Sequence, residues 1–120
     1  MRRVTAVWVG LAGMGGVLAR YALSTPFHGS TLPWVTVAIN VVGSFLLGLL
    51  VTVDGLSGEL RTALGVGFLG GFTTFSTFSV QVVLDVDAGE PGRALGYVGV
   101  SIVVGIAAAA AGYALGRAAF

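Results

Sequence analysis

The fold class this sequence predicts is an all-α membrane protein with four transmembrane helices per subunit, and three observations carry that prediction. The 120 residues are 56% hydrophobic and 9% charged, with twenty glycines and no lysine, and a soluble chain this short could not hide so much apolar surface. Formal charges divide the chain into four apolar stretches. At 1.5 Å per residue each covers about 30 Å, the thickness of the hydrocarbon core. Helix-stopping and turn residues sit between the stretches: Pro26, Pro33 and the run Glu90-Pro91-Gly92. The expectation is a single transmembrane domain over residues 1–120 with spans at about 4–24, 34–53, 62–84 and 94–116.

The first span follows Met1-Arg2-Arg3, which imitates the start of a signal peptide. No small-x-small cleavage site closes the run and the glycine-rich helix continues to Arg20, so it reads as a retained span. A connector with His28, Gly29, Ser30 and Pro33 leads to the second span. Glycines and serine four apart recur through the helices. Gly13, Gly16 and Arg20 share a face, and Ser44/Gly48, Gly92/Gly96 and Gly112/Gly116 repeat the spacing. Small residues at that spacing let helix backbones approach closely in lipid.

With four spans both termini face one side, which collects Arg2, Arg3, Arg61 and Arg117; the other side collects Arg20 and Arg93. This four-to-two split is a weak positive-inside signal for cytoplasmic termini. The alternative is insertion in both orientations, giving an antiparallel dimer.

Polar residues at membrane depth bear on function. Thr36, Asn40 and Ser44 fall at i, i+4 and i+8, one stripe along the second helix. Asn40 must satisfy two donors and an acceptor without water, either by an interhelical hydrogen bond or along a polar pathway. Arg20 stands about one turn from the end of its helix, where a long side chain either snorkels to the headgroups or serves as a fixed positive charge that anchors the helix or draws anions to a mouth.

The third span is the strangest, reading Gly70-Gly71-Phe72-Thr73-Thr74-Phe75-Ser76-Thr77-Phe78-Ser79. Its hydroxyls point in nearly every direction of a helical wheel, which suits no lipid-facing helix. Back-bonding to the i−4 carbonyl accounts for one or two of them. Gly70-Gly71 would tolerate a break in the helix, acceptable at membrane depth only when buried or lining a cavity, and freed carbonyls there would point at a cation. Phe75 and Phe78 read as ordinary packing, or as ring edges whose partial positive charge replaces part of an anion's hydration shell.

Other classes fare worse. A net charge near +1 without a basic cluster gives no sign of nucleic acid, and zero cysteines exclude thiol chemistry. His28 is alone, without the clustered ligands or acid–base partners of a metal site or enzyme. A small four-helix dimeric multidrug/proton transporter would need a carboxylate inside the membrane. Asp54, Glu59, Asp85, Asp87 and Glu90 all fall in predicted loops.

With these residues in view, the whole chain resembles the Fluc/CrcB-type fluoride channel family of small bacterial membrane proteins. The resemblance rests on Gly13-x-x-Gly16-x-x-x-Arg20-Tyr21, on Asn40-Val41-Val42-Gly43-Ser44-Phe45, and above all on Gly67-Phe68-Leu69-Gly70-Gly71 continuing through Phe72 to Ser79. It implies a fluoride-selective channel in the bacterial plasma membrane that lets fluoride leave the cytoplasm passively. It further implies an antiparallel homodimer, or a pair with a homologous second subunit, carrying two pores at the interface. Phe75 and Phe78 would line them, with Asn40, Ser76 and Thr77 on the same route. Tyr97 and Ser101 would form a polar track on the fourth helix, where Gly105 departs from the family's small polar residue. A sodium ion at the dimer centre would be held by the carbonyls of Gly70 and Thr73, and Arg20 would have a structural or electrostatic role.

Overall fold

The computed structural model describes residues 3–27 and 34–120. Arg2, and with it part of the charge count, lies outside the described residues, as do His28, Gly29, Ser30 and Pro33 of the first connector. Among the described residues the chain is all helical. Helix α1 is Arg3–Ser24, followed by a 3-10 turn Thr25–Phe27 that contains Pro26. Helix α2 is Trp34–Leu50. Three consecutive pieces follow, α3 (Gly58–Thr62), a π-helical stretch Ala63–Leu69 and α4 (Gly70–Phe72). After a break come α5 (Phe75–Asp87) and α6 (Pro91–Ala119).

Three stretches are long and apolar enough to cross a membrane: Arg3–Ser24, Gly58–Asp87 and Pro91–Ala119; Trp34–Leu50 is a shorter apolar helix. The second helix stops three residues before the expected end at Val53. There Arg61 of α3 reaches back, donating to the carbonyl of Leu50, which also accepts the Val53 N–H at 3.2 Å, and to that of Val53 just past the helix. The third stretch begins earlier and ends later than expected, so Glu59, Asp85 and Asp87 are helical rather than in loops. Ser57 starts α3 by accepting the Leu60 N–H at 3.0 Å. Past the end of α5, Gly89 takes a φ of 78°, which favours glycine, and Pro91 then opens α6 where its missing N–H costs nothing.

Packing runs in two pairs, α1 along the π-helical stretch and α4, and α2 along α6, with α5 lying on α6. Small residues set the closeness. A Cβ on Gly16 would collide with the Phe68 carbonyl and sit 2.9 Å from the Phe72 nitrogen; one on Gly71 would lie 2.6 Å from the Gly13 carbonyl. Gly48 and Gly112 do the same for α2 and α6, against Ala109 and Phe45. Gly92 and Gly96, expected to form a similar contact, meet nothing within 4 Å.

The buried apolar set is small, including Val37, Ile39, Leu69, Phe72 and Tyr97, while apolar side chains on every long helix are exposed. Helices apolar on their outer faces belong in lipid or against a protein partner.

Candidate functional site

The break lies at Thr73–Thr74, at the far end of the Gly70–Thr73 stretch where it was expected and two residues past Gly71. Gly70 remains helical at φ −64°, ψ −37°. Thr73 is extended at ψ 162°, and so is Thr74 at φ −150°, ψ 120°. Local chemistry helps to stop and restart the helix. The Thr73 hydroxyl donates back to the Leu69 carbonyl at 2.9 Å. The Thr74 hydroxyl caps α5 by accepting the Thr77 N–H at 3.2 Å.

Asn40 completes the break from α2. Its Nδ2 donates to the Thr74 carbonyl at 3.0 Å and its Oδ1 accepts the Thr74 N–H at 2.8 Å. One side chain thus satisfies both backbone groups of a residue that has left the helix, which unpaired in the membrane would each be costly. Asn40 therefore makes the interhelical bond, and it also faces the groove described below.

Arg20 does not snorkel. Its Nε donates to the Gly71 carbonyl at 3.2 Å, because the end of α4 presents carbonyls without helical donors and a cation is favoured at a helix C-terminus. Two other carbonyls lose their usual donors at the break. The Thr74 N–H that would serve Gly70 is turned to Asn40, and the Thr77 N–H that would serve Thr73 is turned to the Thr74 hydroxyl.

Beside the break lies an open groove of about 340 Å³. Asn40 and Ser44 line it from α2, Gly70, Thr73 and Thr74 from the break, Phe75 and Phe78 from α5, and Ser101 from α6. The Phe75 and Phe78 rings stand 5.7 Å apart, tilted by 47°. Phe75 is 78% exposed, so lipid or a protein partner covers its ring. Phe78 is half-buried, with Tyr97 5.0 Å behind it.

Tyr97 is buried outside the groove lining and donates its hydroxyl to Gln81 Oε1. The Ser101 hydroxyl is buried with no partner among the described residues. Ser76 and Thr77 are exposed and do not line the groove; Ser76 Oγ lies 3.5 Å from Thr74 Oγ1. Gly105, next on the α6 stripe, meets nothing within 4 Å.

Thus Asn40, Gly70, Thr73, Phe75, Phe78 and Ser101 come together, Tyr97 supports Phe78 from behind, and Ser76 and Thr77 stand to one side. Three members were missed as site residues. Thr74, clamped by Asn40 and lining the groove, had a signal in its place within the hydroxyl-rich run. Ser44 had a signal, its place one turn from Asn40. Gln81 had only its amide in an apolar run. Among the described residues no cluster of His, Asp or Glu could hold a metal ion; the polar side chains lining the groove are the Asn40 amide and the hydroxyls of Ser44, Thr73, Thr74 and Ser101.

Comparison with known proteins places this chain in a family. A family model described as "CrcB-like protein, Camphor Resistance (CrcB)" matches residues 7–113. The chain belongs to the CrcB family. Among CrcB relatives, a Bacillus cereus protein named Fluoride-specific ion channel FluC 1 is 42% identical over 123 residues, covering 97% of this chain and 90% of its own. Thermus thermophilus has one named Fluoride-specific ion channel FluC, 44% identical over 116 residues, with 92% and 93% covered. A protein of the same name from Agrobacterium fabrum is 45% identical over 116 residues, with 91% and 93% covered. Family membership and the long apolar helices together make this CrcB chain a multi-pass membrane protein.

Proposed function

We propose that the protein is a fluoride-selective channel, through which fluoride passes passively out of the bacterial cytoplasm. The observation that carries this is the groove beside the break, where Phe75 and Phe78 present tilted rings next to hydroxyls and an amide. Ring edges and hydroxyl donors offer partial positive charge to a small, strongly hydrated anion. They stop short of a full charge, which would bind it too tightly to release. The names of the relatives support the choice of fluoride.

In this reading a single four-helix domain is one subunit. Its exposed Phe75 and open groove meet a second copy, antiparallel to the first, or a homologous subunit, so that pores form at the interface. Asn40 holds the break at the groove, Phe75 and Phe78 form the pore wall, and Ser76, Thr77, Tyr97 and Ser101 extend a polar route. The carbonyls of Gly70 and Thr73, turned loose from helical donors, fit a hard cation. They would hold a sodium ion at the dimer centre, where it supplies positive charge against the end of α4. Arg20 acts structurally, on the Gly71 carbonyl.

The proton-coupled transporter remains the contrasting reading because Asp85 is helical and buried. Its Oδ1 is, however, already paired with Arg93 at 3.1 Å. Purified protein in liposomes, followed with a fluoride electrode, decides between them. Fluoride efflux that needs no proton gradient, with chloride leak low, is expected. No fluoride efflux under those conditions would sink the channel reading.

A further inference from the structure

The fourth helix carries its polar stripe one turn farther out than Tyr97. Arg93, Tyr97 and Ser101 fall at i, i+4 and i+8 of α6 and so share one face. Facing them on α5, Asp85 and Gln81 are also four apart. The two sets pair rung by rung, Arg93 Nε with Asp85 Oδ1 at 3.1 Å and the Tyr97 hydroxyl with Gln81 Oε1. The ladder ends on Phe78, which touches Tyr97, and on Ser101, which lines the groove.

The outermost rung is built asymmetrically. Asp85 is buried and its Oδ2 has no partner among the described residues, whereas the Arg93 side chain is 34% exposed. Only Nε of Arg93 is engaged; its two terminal nitrogens have no partner among the described residues. A staple made only to hold the hairpin would gain most from the bidentate form, which guanidinium and carboxylate readily adopt. Here the carboxylate holds the guanidinium by one edge and leaves the other edge outward. The Arg93 charge stands about 12 Å along α6 from Ser101, two rungs at 1.5 Å per residue.

Resting on the fluoride-channel reading, we propose that Arg93 is the anion-recruiting residue at the mouth of the pathway. Asp85 is its positioning residue, which aims the guanidinium and offsets its charge so that an arriving anion is not trapped. Arg93 raises the local concentration of small anions at the outer end of the ladder. Tyr97 and the hydroxyl of Ser101 lie farther in. A charge acting this way is long-ranged and screened by salt, unlike a packing contact.

The test is fluoride current through the full-length protein in neutral-lipid bilayers, at one low fluoride concentration and two ionic strengths set by an impermeant salt. At about 0.01 M the Debye length is about 30 Å, and at about 1 M it is about 3 Å. Arg93→Gln is expected to lower the current about two- to tenfold at the low ionic strength, the range for one unit charge about 12 Å away at effective dielectrics of about 80 to 20. At the high ionic strength it should match wild type. Arg93→Lys should stay near wild type at both, and Asp85→Asn should raise the current at low ionic strength only.

A deficit in Arg93→Gln of equal size at both ionic strengths makes the pair a structural staple and overturns the proposal; so does no deficit at either. Should Arg93→Gln fail to fold, Asp85→Asn decides, and no salt-dependent rise in it overturns the proposal. Wild-type protein that passes no fluoride at all defeats the channel reading itself, a distinguishable result.

Discussion

Replacing Asn40 by leucine, close to it in size, removes both hydrogen bonds to Thr74 without opening a cavity. The bonds are 3.0 and 2.8 Å long and join residues 34 apart in sequence. A buried backbone group stripped of its partner costs about 1–3 kcal/mol, while polar contacts between membrane helices average about 0.6 kcal/mol. Two half-buried groups therefore give a loss of about 1–4 kcal/mol. Asn40→Asp separates the two bonds. It keeps an acceptor for the Thr74 N–H but sets a second oxygen against the Thr74 carbonyl. It should lose at least the share of the donated bond. The chain has one route of relief, closing the helix across Thr73–Thr74 so that the Thr74 N–H returns to Gly70. That rotates Phe75 and Phe78 away from the groove, so fluoride flux falls on either path. Reversible unfolding in mixed micelles, followed by circular dichroism, measures the first effect and the liposome assay the second. Asn40→Leu within about 0.5 kcal/mol of wild type, the range of inconsequential surface changes, would refute the clamp.

Two further outcomes follow from the same geometry. Phe75→Ala removes a ring that packs little against the rest of this chain, so the protein should fold and insert while its fluoride flux is lost; wild-type throughput in the liposome assay would remove the ring-edge mechanism. Gly16→Val drives a side chain into the Phe68 carbonyl and the Phe72 nitrogen, backbone that cannot swing aside, and should cost about 1–3 kcal/mol or more in the same unfolding measurement.

Much of the architecture was legible in the pattern of charges. An apolar stretch of about 20 residues in lipid has few options but a helix, because every backbone group must be paired within the segment. The stretches bounded by Pro26, Asp54 and Pro91 did become helices. Helix ends were less legible, since they depend on caps supplied from elsewhere. Arg61 ties down the carbonyl of Leu50, and α5 runs on through Asp85 to Asp87 before Gly89 turns the chain.

The hydroxyl-rich stretch announced a break, and the sequence by itself determined that something unusual would happen near Gly70. Where it happens was decided only in three dimensions. Glycine permits the backbone to leave a helix but does not compel it, and Gly71 serves instead to let α4 approach the carbonyl of Gly13. The chain opens at Thr73–Thr74, the point that Asn40 from another helix can reach with a donor and an acceptor together. Arg20 likewise turned inward once the Gly71 carbonyl lay within reach. Local sequence sets which conformations are affordable in lipid; a hydrogen-bond partner from a distant helix selects among them, and no periodicity along the chain encodes that partner.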